Sequence, residues 1–242
     1  MELKGKVALV TGAARRVGAS IARALAAKRM DVAVHYGSSA SEARAVVNDL
    51  RSLGVAAEAF HANLREVEAA RTLAPRVVEH FGRLDVVVNS AANMIEGAVE
   101  SVTPEVWDEV MGLNLRSPFF ITQGAIPALR AAKGKVVNIA DLAGLEPWPK
   151  YVAHCTSKAG VVMLTKSLAR ALAPDVTVNA VAPGAVLLPD DWDEATKQHF
   201  ADTTPLKRLG SAEDVAQAVV YLLEADYVTG EVIVVDGGRL LR

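Results

Sequence analysis

The sequence predicts an α/β protein of the doubly wound type, a seven-stranded parallel sheet with helices on both faces, and three observations carry that prediction. Short β-branched runs alternate with longer stretches of helical periodicity along the 242 residues. The runs are apolar at consecutive positions rather than at every second one, as in strands covered on both faces. The first strand-to-helix joint carries two glycines, Gly12 and Gly18, where such a fold makes its first crossover.

The elements follow in order. A strand at residues 6–12 ("KVALVTG") leads to a helix at 16–28, and "DVAVHY" at 31–36 to a helix at 41–53. The third strand, 55–60, precedes a helix at 65–81, and "LDVVVNS" at 84–90 precedes a long helical stretch at 104–132. Strands at 134–140 and 176–183 bracket a helix at 156–172. Ser211, followed by Glu213 and Asp214, opens a helix over 211–224 before the last strand at 231–238. Residues 185–205 are too polar and too interrupted for a core helix and are read as a substrate lid. Neither a repeat nor a linker divides the chain, so one domain over 1–242 is expected.

Net charge is -2 and there is no Lys/Arg run of five or more, which argues against a nucleic-acid partner and for a small-molecule one. A single cysteine, Cys155, rules out an intramolecular disulfide framework and suits a reducing compartment. The N-terminus runs straight into a strand pattern and no apolar stretch is long enough to span a bilayer, so a cytoplasmic protein without a membrane partner is expected.

In "VTGAARRVGASIA" the glycines lie where exposed backbone N–H groups and a helix dipole favour a pyrophosphate, which makes the fold a Rossmann-type one. A site selective for an unphosphorylated ribose ends its second strand with an acid, but this one ends "HYGSS". Arg15 and Arg16 in the loop, with Ser38 and Ser39 beyond the strand, form instead a donor set suited to a 2′-phosphate. NADP(H) is the expected cofactor; the bland alternative makes both arginines solvated surface residues.

These residues bring the chain to a family. With "TGAARRVG", "VVNSAA", Asn114 in the long helix, Lys158, "VAPG" and the final "VTG…VDGG", it resembles the short-chain dehydrogenase/reductases over essentially its whole length. Arg16 in the loop and Asp141, thirteen residues before His154, look like the pteridine reductases, which include the dihydromonapterin reductases. The resemblance implies cofactor contacts from Gly12, Arg15, Arg16, Val17, Gly18, His35, Tyr36, Ser38, Ser39, Asn63 and Leu64. It extends them to Asn89, Ala91, Lys158, Pro183, Gly184 and Val186, and to a homotetramer or homodimer. Asn63 stands where an aspartate usually meets the adenine amino group, and its side-chain oxygen can still accept.

In the family a tyrosine four residues before the lysine gives the substrate its proton. Carried over, Asn114 and Lys158 match, Asp141 takes the serine place and His154 the tyrosine place, and these four are the candidate catalytic residues. Imidazole, with a reference pKa of about 6.5, exchanges protons near neutrality but is shorter than phenol and differently aimed. Paired with Asp141, it would give a turnover that declines above neutral pH. Trp148, Tyr151, Leu187 and Trp192 are candidate substrate-pocket residues; the tryptophans either stack on a flat ring or fill the wall. The acidic run at 190–194 lacks calcium-loop spacing, so no metal is expected.

The leading expectation is NADPH-dependent reduction of a pterin-like or other small cyclic substrate, Asp141 and His154 supplying the proton. The alternative is an NADP(H)-binding protein with little or no turnover, acting as a sensor or assembly component. A 3-oxoacyl or other carbonyl reductase is a further alternative.

Overall fold

The computed structural model describes residues 1–186 and 193–241. Seven strands, β1 (Val7–Val10), β2 (Asp31–Tyr36), β3 (Ala57–His61), β4 (Val86–Asn89), β5 (Lys135–Ile139), β6 (Thr177–Pro183) and β7 (Val232–Val235), form one sheet in the order β3-β2-β1-β4-β5-β6-β7. Every pairing is parallel, with Val7 beside Asp31 and Ala8 beside Val86.

The consecutive apolar residues of the strands divide between the two faces, as the period of two requires. Ala8, Val10, Val32 and Val34 pack against helices α1 (Arg16–Ala27), α2 (Ala40–Ser52) and α8 (Ala212–Glu224). Val7, Leu9, Ala33 and Val87 pack against α3 (Val67–Phe81), α5 (Ser117–Ala132) and α6 (Val152–Leu172). The helix start expected at Ser211 is a full capping box: its hydroxyl accepts the Asp214 N–H while the Asp214 carboxylate accepts the Ser211 N–H.

Helix α3 meets α5 closely. A Cβ added to Gly124 would lie 2.0 Å from the Arg71 carbonyl oxygen, so only glycine lets the two backbones approach this far. At the opposite end of the sheet, buried Asp85 takes the Val7 N–H (2.9 Å) and two bonds from Arg83 (2.8 and 2.6 Å), tying the starts of β1 and β4 together.

The long helical stretch expected at 104–132 is broken into α4 (Pro104–Met111), a π turn (Gly112–Arg116) and α5. A π turn accommodates one extra residue per turn and marks functional positions more often than chance allows. Helix α6 begins at Val152, four residues before the expected start, with Tyr151 at its N-cap. In the expected lid, residues 194–203 form α7 (Glu194–Thr203), none of whose residues is buried, which agrees with excluding a core helix there. Leu187 and Trp192 lie outside the described residues. No described helix is long and apolar enough to cross a membrane.

Candidate functional site

Strand order reverses between β1 and β4, and in open parallel sheets ligands bind beyond the C-terminal strand ends at that point. A cavity of about 820 Å³ lies there, large enough for a ligand well beyond the size of a single ring. Its walls include Gly12, Arg15, Arg16, Val17 and Gly18 of the loop; Tyr36, Ser38 and Ser39 after β2; and Asn63 and Leu64 after β3. Ala91, Asp141, His154, Lys158, Pro183, Gly184 and Val186 complete the match to the sequence expectations.

The loop shows why its glycines are required. Gly12 has φ +64° and a Cβ on it would stand 2.9 Å from the Ala91 Cα, while a Cβ on Gly18 would stand 2.4 Å from the Gly12 carbonyl oxygen. The loop therefore lies flat against the β4 turn. Thr11 fixes that turn from below, its hydroxyl accepting the N–H groups of Ser90 (2.9 Å) and Ala91 (3.0 Å).

Three of the expected site residues are not among those lining the cavity. Asn89 does not line the cavity: its amide donates to Thr122 (3.3 Å) and Asn138 (2.8 Å), inside the layer between the sheet and its helices. Tyr151 is turned to Glu96, to which its hydroxyl donates at 3.0 Å, and is not a wall residue of the cavity. Trp148 is not one either; its indole stacks on the His154 imidazole, centroids 6.5 Å apart and planes 19° from parallel.

The four candidate catalytic residues do converge. Lys158 is buried, and its ammonium donates to the Ile139 carbonyl at 2.8 Å. Burial pushes it down to about 8, against the opposing attraction of Asp141. The π turn aims Asn114 inward, where it clasps the Asn93 backbone twice: its oxygen accepts the Asn93 N–H (2.9 Å) and its amide donates to the Asn93 carbonyl (2.8 Å). The second amide proton goes to the Ser157 hydroxyl at 3.1 Å.

Those bonds determine how His154 holds its protons. Both Asn114 amide protons are committed at shorter range than the 3.4 Å to His154 Nδ1, so Nδ1 accepts nothing from it. Nδ1 lies 3.2 Å from the Asn93 carbonyl and donates to it, the second lone pair of that oxygen being free to accept. The other ring nitrogen, Nε2, belongs to a side chain that lines the cavity. It is buried, has no hydrogen-bond partner among the described residues, and lies 3.6 Å from Asp141 Oδ2. Asp141 keeps its place by accepting the Ala143 N–H on its other oxygen at 2.9 Å.

Sequence reasoning missed Asn93, Ser157 and Thr11 because they act on neighbours, two of them through or onto backbone groups that residue identity does not reveal. His61, the exposed last residue of β3, also lines the cavity beside Tyr36 (ring centroids 5.4 Å apart). Cys155 is partly buried, and its sulfur meets the Trp148 backbone. No cluster of three or more metal-ligating side chains occurs among the described residues.

Comparisons with known proteins extend over nearly the whole chain. Residues 12–239 match the family model described as Enoyl-(Acyl carrier protein) reductase. The 3-oxoacyl-[acyl-carrier-protein] reductase FabG of Staphylococcus aureus (strain Mu50) is 38% identical over 242 residues, which cover 98% of each chain. The versicolorin reductase stcU of Emericella nidulans is 35% identical over 253 aligned positions, 98% of this chain and 96% of that one. A crystal structure of a candidate short-chain alcohol dehydrogenase from Sinorhizobium meliloti 1021 superposes with a TM-score of 0.94 at 32% identity, covering 99% of this chain and 98% of that one.

Proposed function

The chain belongs to the short-chain dehydrogenase/reductase family, and within it we propose an NADP(H)-dependent reductase of 3-oxoacyl-like or other small carbonyl substrates whose proton donor is His154. The observation that carries this reading is the His154 Nε2 atom, buried and unpartnered among the described residues, on a side chain that lines the same cavity as Lys158 and the glycine loop. The activities named for the relatives support a carbonyl substrate over the pterin-like one expected from the sequence.

The cavity fits the cofactor by its donors: first-turn N–H groups of α1 for a pyrophosphate, Arg15, Arg16 and Ser38 for a 2′-phosphate, Lys158 for a ribose. The bound nicotinamide supplies the hydride. Lys158 holds the cofactor side and adds positive charge, while His154, as imidazolium, donates from Nε2 to the carbonyl oxygen that hydride addition makes basic. Nδ1–H stays on Asn93 throughout, so only the imidazolium carries a proton at Nε2. Asp141 Oδ2 stands 3.6 Å from that atom. Ketone, hydride and proton together give the alcohol.

Assays of NADPH and NADH oxidation with a 3-oxoacyl thioester, simple ketones and a dihydropterin test the reading. NADPH-preferring turnover of a ketone is expected; no turnover despite NADPH binding would support the binding protein without chemistry. Asp141 on the cavity wall is the specific feature that keeps a ring C=N substrate as the second reading, and turnover of the dihydropterin alone would select it.

Lys158 makes the binding pH-dependent. Its charge is present below about 8 and lost above it, so NADPH affinity falls as pH rises through that value. A single screened charge is worth about 1 kcal/mol here, roughly fivefold in Kd. Titrations from neutral to alkaline pH should show the inflection in the native chain and a flat line in Lys158→Met.

A further inference from the structure

His35 lies in β2, buried under the glycine loop, and the structure leaves no choice in how its ring is protonated. Its Nδ1 is 3.1 Å from the Gly12 backbone nitrogen, and since an N–H can only donate, Nδ1 accepts. The ring proton is therefore on Nε2, which donates to the Ala62 carbonyl at 3.1 Å. Burial pushes the imidazole down to about 4, so it stays neutral at ordinary pH and keeps both bonds. The next loop amide is held by the same residue: the Ala13 N–H donates to the His35 carbonyl at 2.9 Å.

Two consecutive loop N–H groups are thus spent on His35, and a ligand phosphate is left the first-turn amides of α1. Gly12 needs its positive φ to lie against Ala91, and the Nδ1 bond is the side-chain contact that holds its amide in that pose. The Ala62 bond reaches the other end of the cavity, one residue before Asn63.

We infer that His35 is a positioning residue for the dinucleotide, acting through its Gly12 bond to set the phosphate loop before the cofactor arrives. This rests on the NADP(H) reading above. His35 lines the cavity, as the sequence led us to expect for a residue near the adenosine, and both its ring nitrogens are engaged inside the protein, one of them on the loop.

The two amide substitutions separate its two bonds. His35→Asn places an acceptor near the Nδ1 position and loses the reach to Ala62, whereas His35→Gln reaches toward Ala62 and loses the acceptor under Gly12. NADPH Kd, followed by nicotinamide fluorescence, is expected to weaken about tenfold in H35Q and no more than about threefold in H35N. Competition by 2′-AMP, which has the adenine and 2′-phosphate but no pyrophosphate, is expected to change by less than about twofold in either. Equal weakening of NADPH in both variants, or a loss of 2′-AMP matching that of NADPH, overturns the inference alone, since His35 would then act as a general support. A native chain that binds neither NADPH nor NADH overturns the cofactor reading and this inference with it.

Discussion

Replacing His154 with alanine is expected to slow substrate-dependent NADPH oxidation by about 10²–10⁴-fold, the contribution of a positioned general acid. The size follows from the commitment of the neighbouring donors among the described residues. Tyr151 is committed to Glu96, Cys155 to the Trp148 backbone, and the Ser157 hydroxyl donates to the His154 carbonyl at 2.7 Å. Lys158 remains, but its ammonium is tied to the Ile139 carbonyl on the cofactor side. His154→Gln sharpens the test, because its amide reaches toward the Nε2 position yet carries no transferable proton at neutral pH. Single-turnover rates with NADPH prebound measure the step directly. If H154A turns over a ketone at the native rate, His154 is not the donor. If His154→Tyr alone is active, the native chain has lost its chemistry and binds without reducing.

The second large effect is on stability. Gly124→Val is expected to destabilise the fold by about 3 kcal/mol, the upper part of the range for overpacking, and to lower Tm by roughly 10 °C. The added Cβ meets the Arg71 carbonyl at 2.0 Å, and that atom belongs to the backbone of α3, which cannot swing aside as a side-chain tip would. Valine's branching adds a smaller helix penalty. Relief would require α3 and α5 to separate, opening the Leu73, Ile121 and Leu129 layer. Urea unfolding of the two proteins measures the difference, and a change below about 0.5 kcal/mol would mean that the helices part without cost.

The fold was legible because each strand repeats one physical signature. Val86, Val87 and Val88 are apolar in succession since helices cover both faces, and that condition is written in the chain itself. The glycine loop was legible for a similar reason, since Gly12 and Gly18 answer to steric limits their neighbours impose. What could not be read was geometry set by backbone partners. Asn89 and Asn93 sit four residues apart in a motif of known location, yet one points into the core and the other supplies only its amide and carbonyl to the site. His35 lines the cavity to which it was assigned, but its bond to Gly12 was hidden, because nothing in "DVAVHY" says that an imidazole will pass beneath the loop. The pairing of Asp141 with His154 was implied by the resemblance; the structure puts the two side chains 3.6 Å apart without a hydrogen bond between them and sets Nδ1 against the Asn93 carbonyl. The pterin-like substrate rested on a subgroup likeness at a few positions, and the relatives that match the whole chain carry other names.

The π turn at Gly112–Arg116 also acts as a phase shifter. Helices α4 and α5 run on through it, but one surplus residue puts the faces on its two sides out of step by about 100°. Removing a single residue from the turn would let an unbroken α-helix form and bring the two halves back into step. Asn114 would then swing away from the Asn93 backbone while the helix kept nearly all of its length. A one-residue deletion there would uncouple the reactive centre from its support and leave most of the architecture standing.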